Sequence, residues 1–256
     1  MRDNIYGLDI ERIAEDAYYE KIMPEEIDVN DLPYLCEDMY QRTIKEINFK
    51  KCPKILDLGA GSGILSVIMA LRGANVIALD ISKKACEIIE SLKLRYDVVD
   101  KIEVINGTID DVKNLSKMDY VVSLNSLHHM QIDRSMRIIY SLLKEGGKAL
   151  FVEPLFYNPL AYLYRKISKS ESRTEAEEPL KIKDLKTIKK DFSNVKFKGL
   201  YLLSSVLLSF ERMFKTRERS AISRSLFHFI RPFDEIFSNI PLLKYLSWKI
   251  MVIAEK

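Results

Sequence analysis

Apolar residues change their spacing repeatedly along the middle of the chain. Lys54-Ile55-Leu56-Asp57-Leu58 is a short apolar run that ends in glycines, and it reads as a buried strand. Residues 64–72 read as a helix. Residues 75–79 read as a second strand, closed by Asp80. Ser82 is placed to cap a helix running to about Tyr96. Strands at 102–105 and 120–124 follow, then a helix over 133–143 stopped by Gly146-Gly147, then a fifth strand at 149–152. Strands alternating with helices at this spacing predict a parallel sheet covered by helices on both faces.

The flanks have other patterns. Residues 1–50 read as helical, broken into short pieces by Pro24 and Pro33. After Pro154 the rhythm lapses, and residues 156–179 read as irregular and charged. A helix is expected over 182–192 and a strand over 195–203. A basic, aromatic, helical stretch follows over 209–243, and a last strand over 248–254 returns to the sheet. The expected organisation is one α/β domain: a helical cap (1–50), a core (51–204), a helical insertion (205–245) and a final strand (246–256).

At 256 residues, with 47% apolar and 30% charged side chains, the chain can bury one core without staples. Cys36, Cys52 and Cys86 fit neither a disulfide framework nor a four-ligand zinc site, so no metal is expected. No run reaches the ~18 apolar residues of a membrane span, and the first residues lack the apolar stretch of a signal peptide. The expectation is a cytoplasmic protein, with contact at a membrane surface left open. The net charge of +3 conceals a gradient. Residues 1–50 hold 6 basic and 13 acidic residues; residues 151–256 hold 20 basic and 12 acidic ones.

The chemistry begins at Asp57-Leu58-Gly59-Ala60-Gly61-Ser62-Gly63, which follows a strand and opens a helix. Glycines there let the backbone approach a ligand with no Cβ in the way. Ile64 stands where the dinucleotide fingerprint needs a glycine. Asp80, at the end of the second strand, is positioned to accept hydrogen bonds from a ribose diol. These residues resemble the class I S-adenosylmethionine-dependent methyltransferases, in their small-molecule, ubiquinone-biosynthesis-like subgroup. Asp57 to Gly63 matches the family's first motif, and Ala78-Leu79-Asp80-Ile81-Ser82 resembles its second. Asn106-Gly107-Thr108-Ile109 sits where the family contacts adenine, with Thr108 in place of the usual acid. Residues 119–129, including Asn125, resemble the strand-four motif.

The resemblance implies a Rossmann-like seven-stranded sheet in the order 3-2-1-4-5-7-6 and S-adenosyl-L-methionine as cofactor. It implies a cofactor site of Asp57, Gly59, Ala60, Gly61, Ser62, Gly63, Asp80, Ile81, Thr108, Ile109 and Asn125. Asp57 would orient the loop and the cofactor's amino group, and Asp80 would hold the ribose. His128 and His129, after the fourth strand, are candidate catalytic bases toward an acceptor hydroxyl.

The expected reaction is methyl transfer to an oxygen or carbon of a small acceptor, lipid-linked or anionic. A binding module without catalysis and an RNA methyltransferase are the alternatives. No motif after strand four clamps a nucleobase amine, so nucleic acid is disfavoured. Phe229 and Phe233 among Arg217, Arg219 and Arg224 suit either a membrane-surface helix or a lid over an apolar, anionic substrate. The 205–245 insertion and residues 1–50 are expected to cap the cofactor and acceptor pockets.

Overall fold

The computed structural model describes residues 2–167, 178–213 and 220–256. Seven strands form one sheet: β1 (Lys54–Leu58), β2 (Asn75–Asp80), β3 (Ile102–Asn106), β4 (Met118–Leu124), β5 (Leu143–Pro154), β6 (Asn194–Leu200) and β7 (Lys249–Glu255). Their order is β3-β2-β1-β4-β5-β7-β6. The first five are parallel; β7 runs antiparallel between β5 and β6. The strands read as unbroken apolar runs because both sheet faces are covered. In β1, Ile55 packs into one core and Leu56 and Leu58 into the other.

Nine helices surround the sheet among the described residues: α1 (Arg2–Tyr19), α2 (Tyr34–Lys45), α3 (Ile64–Leu71), α4 (Lys83–Arg95), α5 (Ile132–Leu142), α6 (Pro159–Ile167), α7 (Ile182–Asp191), α8 (Ser204–Met213) and α9 (Ala221–Phe237). None is long and apolar enough to cross a membrane. The Ser82 hydroxyl accepts from the Ala85 N–H at 3.1 Å, the cap that its position before α4 predicts.

Three expectations change. The stretch read as irregular after Pro154 contains α6. Its start was legible: the Asn158 side chain accepts from the Ala161 N–H at 2.8 Å and Pro159 opens the helix, a cap followed by a proline whose missing N–H costs nothing there. The strand expected over 195–203 stops at Leu200, because Tyr201 turns to φ +63°. The helical stretch after it divides into α8 and α9. The join between these two, with Arg217 and Arg219, lies outside the described residues.

Helix α9 packs on α2 through a buried ionic cluster. Asp38 of α2 accepts from Arg42 at 2.6 Å, from Arg231 of α9 at 2.7 Å and from the Tyr201 hydroxyl at 2.8 Å. Beside it, Arg224 donates to Glu37 at 2.6 Å and to the Leu32 carbonyl at 2.8 Å. Tyr34 stacks on Phe227 with ring centroids 4.6 Å apart. The insertion therefore braces the N-terminal cap from behind.

Asp38 is 4% exposed, and removing it takes the carboxylate from Arg231 and leaves Arg42 only the longer contact with Glu235. Asp38→Ala is expected to lower unfolding stability by roughly 3–5 kcal/mol in urea titration. Glu235→Ala, at a carboxylate that is 58% exposed where it meets Arg42, should cost under about 1 kcal/mol. Equal losses in the two variants would mean that the cluster does not anchor α9.

Candidate active site

A cavity of about 670 Å³ opens at the C-terminal ends of the parallel strands, where β1 and β4 diverge. That is the position at which open α/β sheets take ligands, and its volume lies within the ~300–1,000 Å³ typical of small-molecule sites.

The glycine loop forms its floor. Gly59 and Ala60 N–H groups both donate to the Leu79 carbonyl, at 2.9 and 3.0 Å, which ties the loop to the end of β2. Gly61 holds φ +56°, and a Cβ there would lie 2.6 Å from the Tyr19 hydroxyl of α1. Its N–H donates to one oxygen of Asp80 at 2.7 Å, while the Ser82 N–H donates to the other at 2.9 Å. One carboxylate thus fixes both the loop and the entry to α4. Burial raises the Asp80 carboxyl, the two backbone N–H groups oppose that, and the nearby Glu11 and Asp16 charges of α1 add to the rise.

Asp57 lies deeper. Burial pushes its carboxyl up to about 7, against the pull of a 2.6 Å hydrogen bond from the Ser66 hydroxyl of α3 and with a further push from the Asp80 charge.

Of the residues singled out in the sequence, Asp57, Gly59, Ala60, Gly61, Ser62, Asp80, Ile81, Thr108, Ile109, Asn125, His128 and His129 all line this one cavity. Gly63 does not. It begins α3 at φ +76°, and a Cβ there would strike Ile89 at 2.5 Å, so its task is helix packing. Thr108 stands where an acid was looked for. Its amide and hydroxyl both donate to Asp111, at 2.7 and 2.9 Å, which holds that carboxyl below its ordinary value.

The β4–β5–β7 side carries polar pairings that sequence reasoning did not assign. Glu153, at the end of β5 and fully buried, accepts from His128 Nδ1 at 2.6 Å with one oxygen. Its other oxygen accepts from the Ser126 and Leu127 N–H groups at 3.2 and 3.0 Å. A carboxylate on the strand beside a histidine is a long-range pairing, 25 residues apart, with no local sequence signal. His129 pairs instead with Glu11 of α1 at 3.1 Å. Lys249, at the start of β7, donates to the Asn125 side chain, and Asn125 itself sits at φ +58°. From the cap, Tyr18 and Tyr19 of α1 and Cys36, Met39 and Tyr40 of α2 complete the wall. The described part of the 205–245 insertion contributes no lining residue.

A family model described as a methyltransferase domain matches residues 55–147. Residues 55–147 carry a methyltransferase domain of the class I S-adenosylmethionine-dependent type. Over 114 residues, 43% of its length, the chain is 34% identical to a ubiquinone biosynthesis O-methyltransferase of Pseudomonas savastanoi, covering 48% of that protein. Over 94 residues, 36% of the chain, it is 36% identical to a ribosomal protein L11 methyltransferase of Acetivibrio thermocellus, covering 29% of that protein. The chain thus spans about half or less of the curated relatives it matches. Its fold is similar to that of a SAM-dependent methyltransferase from Archaeoglobus fulgidus, with TM-score 0.58 at 18% identity, covering 88% of this chain and 95% of that one.

The family's cofactor is S-adenosylmethionine, and the residues present fit it. Gly61 lines the cavity without a Cβ, so its backbone is bare toward a ligand. Asp80 offers carboxylate lone pairs to a diol, and buried Asp57 offers an anion to an ammonium group.

Two predictions follow from this geometry. Gly61→Val forces a branched side chain into the cradle and against Tyr19, and should abolish binding of S-adenosylhomocysteine; unchanged affinity would place the ligand elsewhere. The second concerns pH. An ammonium group beside Asp57 favours the ionised carboxylate and lowers its pKa from about 7. Below that value binding must expel a proton, so affinity should rise from pH ~6 to ~7.5 and then level off. Calorimetry in buffers of different ionisation enthalpy reads the released proton directly, and Asp57→Asn should remove both slope and release. A parent affinity that ignores pH over this range would take the ammonium group away from Asp57.

Proposed function

We propose that the protein transfers the methyl group of S-adenosylmethionine to an oxygen or carbon of a small acceptor, one that is lipid-linked or anionic. The observation that carries this reading is the buried Glu153–His128 pair on the wall of the same cavity that holds the glycine cradle and Asp80. The bound cofactor supplies a methyl group already activated on a sulfonium.

The chain's own residues then have two tasks. The first is alignment: Asp80 and the loop hold the donor, and the β4–β5–β7 wall receives the acceptor. The second is proton removal. Glu153 accepts from Nδ1–H of His128, which leaves the neutral ring's lone pair on Nε2, the tautomer a base requires. Both Glu153 oxygens are engaged by Ser126, Leu127 and His128, so the carboxylate fixes the ring's orientation. The sequence leaves His128 and His129 equal as candidates. The pairing with Glu153 favours His128, because His129 is tied to the cap helix through Glu11.

The subgroup resemblance supports a small acceptor. The matched relatives act, by name, on ubiquinone biosynthesis and on a ribosomal protein, so the segment they share with this chain speaks for the donor more than the acceptor. Lys249 on the cavity wall supplies positive charge toward an anionic acceptor group, whereas Arg134 on the same wall is paired with Asp110 at 2.5 Å.

The test is incubation of the protein with methyl-labelled donor and a fractionated cell extract, counting lipid and aqueous phases separately. Label should enter one phase; label in neither would leave a module that binds the cofactor without transfer. With the acceptor found, His128→Gln should lower turnover by about 10²–10⁴ at nearly constant cofactor affinity. Glu153→Gln should flatten the pH profile of turnover, and His129→Gln should leave turnover within a few-fold. Full turnover in His128→Gln would reduce catalysis to alignment.

A further inference from the structure

Helix α9 has two faces of opposite character. Its inner face carries Arg224, Phe227, Arg231 and Asp234, all engaged with α2 or with the turn before α8. Its outer face carries Ile222, Leu226, Phe229, Phe233 and Ile236, spaced three and four residues apart, so they form one stripe along the helix. Ile222 is 81% exposed, Phe229 70% and Ile236 65%.

The stripe continues onto neighbouring helices. α8 packs on α9 and leaves Val206 and Phe210 outward, one helical turn apart. α6 packs on α8 and leaves Tyr162 and Leu163 half exposed. Single exposed apolar residues need no explanation, but so many on three successively packed helices are uncommon on a soluble monomer.

We infer that the outward faces of α9, α8 and α6 form a docking surface for a membrane that carries anionic lipid headgroups. Three observations choose this occupant. The side chains stand out from helices as a ridge of large aliphatic and aromatic groups, the shape that enters the headgroup boundary. The ionic cluster at Asp38 and Glu37 locks the inner face of α9 in place, so the helix cannot roll its apolar stripe into the core. The charge matches as well. Residues 151–256 carry 20 basic and 12 acidic side chains, with Lys215, Arg217 and Arg219, in the sequence between α8 and α9, among the basic ones.

The surface also adjoins the cavity. In α6, Ala161 lines the cavity while Tyr162 and Leu163 face outward, so one short helix separates the two. An acceptor residing in the membrane would reach the methyl donor from that side. This consequence alone rests on the methyl-transfer reading; the docking itself does not.

The experiment is sedimentation of the full chain with vesicles of phosphatidylcholine, alone and mixed with phosphatidylglycerol, with no methyl donor present. The protein should pellet with the mixed vesicles, less with phosphatidylcholine alone, and less again as salt is raised. The triple variant Phe229→Ser, Phe233→Ser, Ile236→Ser should partition at least about 100-fold more weakly at an unchanged melting temperature. Phe229→Ser alone should give a smaller loss in the same direction, which keeps the test intact if the triple variant misfolds. A parent protein that stays in the supernatant with both vesicles overturns the inference, as does pelleting that the variants leave unchanged. A dimer in ultracentrifugation that the triple variant dissolves, without vesicle binding, assigns the surface to a second copy and also overturns it. Because no methyl donor enters this assay, its failure is separate from failure of the label-transfer test.

Discussion

Two backbone N–H groups from different loops, those of Gly61 and Ser82, point at one carboxylate, Asp80. The residues of the glycine loop carry almost no side chain to pack, so backbone hydrogen bonds hold its shape, these two together with those of Gly59 and Ala60 to the Leu79 carbonyl. Charge-assisted hydrogen bonds of this kind are about twice as strong as neutral ones. They set the distance between the end of β1 and the end of β2, and with it the width of the site. Burial raises the Asp80 carboxyl above its ordinary value, and the same two bonds oppose that rise.

The cap helix α1 works against that ionisation and for closure. Glu11 and Asp16 bring negative charge toward Asp80, yet Asp16 accepts from the Ser82 hydroxyl at 2.6 Å and from the Lys84 N–H at 3.1 Å, at the positive end of α4. Tyr19 lies over Gly61, and burial holds its hydroxyl well above its ordinary value, hence protonated. The acidic start of the chain is thus spent on two local partners, the N-terminus of α4 and His129. The basic end is spent partly on the same cap, through Arg224 and Arg231. Those two residues neutralise Glu37 and Asp38 of α2.

Much of the fold was legible because parallel strands buried on both faces write themselves as short apolar runs, and because loop, strand and acid fall at a fixed spacing. The glycine loop and Asp80 were legible for the same reason: only small residues and one acid satisfy that turn. The pairing of Glu153 with His128 was not, since the two lie 25 residues apart at the ends of neighbouring strands. The placement of the insertion was not legible either. Aromatics interleaved with arginines suit a lid, a brace or a membrane face equally, and only the pairing of Arg224 and Arg231 with α2 shows that the inner face braces the cap. Helix α6 was signalled by Asn158-Pro159, a cap followed by a first-turn proline, within a stretch otherwise read as irregular.

The central claim is that Asp80, held by Gly61 and Ser82, is the anchor for the cofactor's ribose. A crystal structure with S-adenosylhomocysteine tests it most directly. The account predicts both ribose hydroxyls within hydrogen-bonding distance of the Asp80 carboxylate, with the Gly61 and Ser82 N–H bonds still in place. A ribose held by other residues, or a loop that releases Asp80 on binding, would contradict it.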